Sequence, residues 1–204
     1  AMRQSAEDMG GSREDFMAEK NVVFPLKMGK EARKYLKEPI TCNFVSYGNN
    51  IVAASIPETM EIVSAYTERF EFYHCFETPN MHWLNEHLLE SHKICFMAEY
   101  YLPDIGRIPD LSCAYQTRIL EQKDFRNLYL PEWSNALCKE RMQLDVLGVG
   151  AYDGNTLVGL AGCSADCRDM WQICLRDIWL RRDGRWKYAG RMVRKNTSRR
   201  FSRM

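Results

Sequence analysis

The sequence predicts an α/β protein with a mixed central sheet flanked by helices and a smaller α/β half ahead of the main domain, on three observations. First, between Leu144 and Ile173 two apolar runs, Val146 to Tyr152 and Thr156 to Ala161, flank Asp153-Gly154-Asn155. A glycine in so short a connection readily takes the positive φ of a hairpin turn, and a third run, Met170 to Ile173, makes the block three consecutive strands. Second, Pro57 stands where a helix begins, and Met60, Ile62, Val63, Tyr66 and Phe70 fall on one stripe at helical spacing. Third, 46% of the 204 residues are hydrophobic and 12% aromatic, ample for a core, yet no apolar run approaches the roughly 20 residues of a membrane span.

Residues 1 to 40 read as an extension. The first twenty are polar with mixed charge, and the alanine before Met2 looks like a cleavage scar. Lys27 to Leu36 predicts a short helix stopped before Pro39, because a proline disfavours helical geometry in its predecessor. Residues 41 to 110 form the smaller half. Thr41 to Ser55 reads strand, turn, strand around Tyr47-Gly48-Asn49-Asn50, and the Pro57 helix then runs to Phe70. A strand over Glu71 to Phe76, a helix over Pro79 to Ser91 and a strand over Lys93 to Leu102 follow. Pro103 to Ser112, with two prolines and a glycine, predicts a linker. The main domain spans 111 to 204: a strand from Tyr115 to Leu120, one or two helices in Glu121 to Arg141 broken at Pro131, and then the hairpin block.

Eight scattered cysteines, several inside apolar runs and with no secretory signal before them, point to reduced, mostly buried thiols and a cytoplasmic chain. No Cys-x-x-Cys pair occurs, and His82, His87 and His92, five apart, scatter over different helix faces, so no metal site is expected. The net charge of +1 conceals an asymmetry. From Cys174 to the end eleven Lys/Arg stand against two Asp/Glu, a net of +9, while the remainder carries −8. Such a basic tail binds nucleic acid or cofactor phosphates, or is simply a solvated end.

Gly150-Ala151-Tyr152-Asp153-Gly154, Leu157-Val158-Gly159-Leu160-Ala161-Gly162 and Met170-Trp171-Gln172-Ile173 resemble the second, third and fourth strands of the GNAT family, the acetyl-CoA-dependent N-acetyltransferases. The resemblance covers residues 115 to 173 and implies an acyltransferase that moves an acetyl group from acetyl-CoA to an amine. In that family the fourth strand splays from the fifth and its backbone bonds the cofactor. The resemblance therefore places Trp171, Gln172, Ile173 and Cys174 beside the thioester, although Trp171 and Ile173 suit a core equally well.

The family's pyrophosphate loop, [Arg/Gln]-x-x-Gly-x-[Gly/Ala], finds a partial counterpart in Arg181-Arg182-Asp183-Gly184-Arg185-Trp186. Arg181, Arg182, Gly184 and Arg185 are the candidate cofactor contacts, with Trp186 where the family has Gly or Ala. The same residues also suit a plain hairpin with an Asp-Gly turn. After Val193 the remaining family elements do not follow, so the domain is expected to be incomplete at its C-terminal side.

For proton transfer the candidates are Glu132, where the family's acceptor-binding loop falls, and Asp166 and Asp169 before the fourth strand. Each reads alternatively as a solvated loop acid. The expected partners are acetyl-CoA, an amine-bearing small molecule or protein, and optionally a second copy in a homodimer; no membrane is expected. Two rival functions stand beside acyl transfer: a non-catalytic GNAT-like binding module, and nucleic-acid binding through the basic tail. Against the latter, the arginines are not interleaved with a repeated aromatic platform.

Overall fold

The structure, a computed structural model, describes residues 1–33, 39–88, 90, 94, 97, 102, 104–107, 113–167, 170–177, 180–182 and 185–187. The chain is mixed α/β and divides into two compact units, Ala1–Glu99 with Cys167–Met170, and Tyr100–Asp166 with Trp171–Met204.

The first unit is built on a three-stranded sheet. Strand β1 (Val22–Pro25) runs parallel to β3 (Val52–Ser55), which pairs antiparallel with β2 (Cys42–Val45). All of β3 is buried, and alternation sends its side chains into two cores. Ile51 and Ala53 meet Val63 and Tyr66 of helix α2 (Met60–Arg69) and Leu84 of α3 (Thr78–His87). Val52 and Ala54 meet Ala6 and Met9 of helix α1 (Met2–Met9) together with Phe16. As expected, Pro57 opens the turn that leads into α2, and Val63 and Tyr66 lie on its buried stripe.

Three expectations fail in this unit. The N-terminal segment is an anchored helix, not a loose extension. Gln4 donates to Asp8 and to the Glu31 carbonyl, each at 2.9 Å, and Asp8 pairs with the Arg33 guanidinium at 2.5 Å. Its polar residues are buried because each has a partner, a condition that composition does not reveal. No helix forms over residues 27 to 33, since the amides of Lys27 and Gly29 donate to the carbonyls of Met9 and Glu7 and so are unavailable to a local ladder. Residues 71 to 76 are turns, not a strand. His74 N–H bonds Glu71 O at 2.9 Å, and the Tyr66 hydroxyl donates to the Cys75 carbonyl, so backbone groups a sheet would need are already used. The expected strand from Lys93 to Leu102 falls largely outside the described residues.

The second unit holds an antiparallel sheet in the order β4-β5-β6-β7, formed by Gln116–Glu121, Asp145–Asp153, Thr156–Ser164 and Gln172–Asp177. The predicted hairpin is present. Asp153 pairs with Thr156, leaving Gly154-Asn155 as a two-residue turn, and Gly154 has φ +60°. Between β4 and β5 the expected α-helices are replaced by three 3-10 turns, Gln122–Phe125, Pro131–Trp133 and Lys139–Leu144. The buried residues here, Phe125, Trp133, Ala136 and Leu137, do fall on one helical face by spacing, so the pattern suggests a helix that Pro131, opening the second turn, does not let run through.

These turns press onto the sheet at a notch. Gly148 and Gly162 pair across β5 and β6, and a β-carbon on Gly162 would lie 2.0 Å from the Ala136 carbonyl oxygen. Glycine at 162 thus admits the backbone of the crossing segment.

Candidate functional site

The residues expected to bind the cofactor start at the outermost strand of this sheet. Gln172, Ile173 and Cys174 pair with Ser164, Cys163 and Gly162 of β6, and no described strand takes the opposite edge of β7. Trp171, 38% exposed, precedes the strand. Glu132 is exposed in the Pro131–Trp133 turn, whereas Asp169 lies outside the described residues.

Between loop and hairpin for Arg181 to Arg185, the structure has the hairpin. Strands β8 (Leu180–Arg182) and β9 (Arg185–Lys187) pair antiparallel with Arg182 opposite Arg185 and Arg181 opposite Trp186. Gly184 lies outside the described residues. Trp186 in a strand satisfies the backbone locally, so these residues present a ladder and not the start of a helix.

A polar cluster that the sequence reading missed lies where β5 begins and β6 ends. Asp145, 1% exposed, accepts from the Cys138 N–H at 3.0 Å. Its carboxyl is raised above the usual range by burial, which the bond from Cys138, a hydrogen bond with Tyr129 and the charge of Arg141 only partly offset. Tyr129 is pushed up in turn, first by burial and then by the negative charge of Asp145. Ser164 lies close enough to help hold the Asp145 charge, yet its buried hydroxyl makes no well-formed hydrogen bond.

Beside them, Arg141 donates from Nε to the Cys138 sulfur at 3.5 Å and from Nη1 to Asp166 at 3.1 Å. Asp166 is therefore a buried ion-paired acid and not a solvated one. Cys174 joins the cluster from β7, its thiol raised by burial and by the charge of Asp166. Chemically the cluster holds buried, ion-paired charge next to the strand expected to meet the thioester. Sequence spacing gave little warning, because Tyr129, Cys138, Asp145 and Asp166 approach through tertiary turns and not through one helix face or strand.

Near this cluster, between the first and third 3-10 turns, is an open cleft of about 420 Å³ lined by Gln122, Arg126, Tyr129, Met142 and Gln143. Among the described residues no group of three or more His, Cys, Asp or Glu side chains is placed to hold a metal ion. No described helix is long and apolar enough to cross a membrane.

No family model matches this chain, and comparison with curated proteins and with solved structures gave no match.

Proposed function

We propose that the chain is an N-acetyltransferase of the GNAT type, transferring an acetyl group from acetyl-CoA to an amine. The supporting observation is the outer edge of β7. Gln172–Asp177 ends the sheet with backbone donors and acceptors that no described strand uses, a geometry suited to the amides of a pantetheine arm. In the reaction the amine nitrogen bonds the acetyl carbon as the carbon–sulfur bond breaks; the ammonium's proton is lost and the departing thiolate gains one. Holding thioester and amine together accounts for the largest expected share of rate, as oriented encounter lowers a barrier by several kcal/mol, up to about 7–11. The Tyr129–Asp145 pair is the group nearest in kind to a proton relay, its buried acid raised above the usual carboxylate range by burial.

The fit to acetyl-CoA is partial. The strand edge suits the pantetheine amides, and Arg181, Arg182 and Arg185 supply positive charge, but their hairpin offers no helix N-terminus among the described residues for the pyrophosphate. That hairpin favours a second reading, a non-catalytic module on the same scaffold.

Calorimetric titration with CoA separates the two. Binding by the purified chain, weakened at high salt as a pyrophosphate contact requires, supports the transferase; no heat up to millimolar CoA leaves the binding module as the account. Trp186→Gly sharpens the result. A degraded cofactor loop binds CoA more tightly once the indole is removed, whereas a hairpin only loses stability.

A further inference from the structure

We infer that the cleft between the first and third 3-10 turns is the acceptor site and that it selects an amine bearing a carboxylate, with Arg126 taking the carboxylate. The inference rests on the acyl-transfer reading for its chemistry but on the cleft alone for its selectivity. Five residues line the cleft, and none is acidic. Arg126 is the single cation, and among the described residues it pairs with no carboxylate. An exposed guanidinium offers a planar pair of donors that matches a carboxylate in two parallel bonds.

Two further donors share one acceptor. The Gln122 amide and the Tyr129 hydroxyl both point to the Met142 carbonyl, at 3.3 and 3.4 Å, longer than well-formed bonds of their kinds. The Tyr129 hydroxyl also faces the Asp145 carboxyl, whereas the Gln122 amide has this one long bond, so a ligand oxygen entering the cleft can draw the amide away at little cost. Asp145, buried and in reach of Tyr129, does not itself line the cleft, so Arg126 is the charge a ligand meets there. The carboxylate of an amine acceptor matches that charge, and a volume of about 420 Å³ accommodates a molecule of amino-acid size.

The test follows backbone amide shifts of the full chain by NMR while small α-amino acids, their carboxamides and the corresponding simple amines are titrated in turn. The amino acids should bind at least about tenfold more tightly than the carboxamides, with the largest shifts at residues 122 to 129 and 142 to 143. Arg126→Ala should abolish that preference, and Arg126→Lys should retain part of it. Because Arg126 is exposed, both variants should melt as the parent does. Equal binding of acid and carboxamide, or an acid preference untouched by Arg126→Ala, overturns the inference. CoA titrated separately keeps the two readings apart: amino-acid binding without CoA binding refutes the transferase and leaves the carboxylate site standing, while CoA binding without acid preference does the reverse.

Discussion

At the scale of single residues, Gly154 and Gly162 are needed for different reasons, and substitution tells them apart. Gly154 has φ +60° with open space around it, so only backbone conformation excludes other residues. Gly154→Val should cost about 1–2 kcal/mol in urea unfolding, and Gly154→Asn much less, since asparagine tolerates the left-handed region. Gly162 has no such φ but meets the Ala136 carbonyl, so even Gly162→Ala should cost about 1–3 kcal/mol, and asparagine should be no remedy.

Asp145 carries a prediction with a definite sign. Its folded-state pKa lies above the unfolded value, so its contribution to stability is fully present below about pH 4 and is lost as pH rises through the folded pKa. Asp145→Asn mimics the neutral acid. Its stability relative to the parent should therefore improve from about pH 4 upward, which denaturation at a series of pH values measures. A difference constant with pH would mean that the carboxyl is not perturbed by burial.

At the scale of elements, α1 is fastened to the first unit by a short set of polar bonds. Removing the Asp8 carboxylate deletes its ion pair with Arg33 and takes the acceptor from the Arg33 N–H and the Gln4 amide, and Asp8→Ala should destabilise the unit by about 1–3 kcal/mol in chemical denaturation. This helix also marks what the sequence conceals. The hairpin from Asp145 to Ser164 was legible because apolar runs of strand length and a turn glycine are local signals, and α2 because its stripe repeats at helical spacing. In contrast, Gln4, Ser5 and Asp8 look like solvent-facing residues until Glu31, Arg33 and Tyr47 arrive from 25 or more positions away. The apolar residues of Glu71 to Phe76 suggest a strand, but Tyr66 and local turn bonds claim their backbone. The site was readable in the same measure. Gln172 to Cys174 do lie on a strand, while the Tyr129–Asp145–Arg141–Asp166 cluster needed the three turns to fold before its members met.

At the scale of the whole molecule, the described cysteines are all free, and Cys75 is buried with its thiol pushed up to about 11 by burial. Denaturation without reductant followed by thiol titration should count about eight groups per chain; six or fewer would reveal a disulfide. The edge of β7 has a consequence for handling the protein. Backbone amides and carbonyls that no described strand pairs are a template for any extended chain, including its own copies, and proteins commonly blunt such rims with charge or bulges. In concentrated solution the rims of two molecules would zip together and precipitate, so a small molecule seated along that rim would act as a solubiliser, and the shelf life of the preparation would report its occupancy before any assay of turnover.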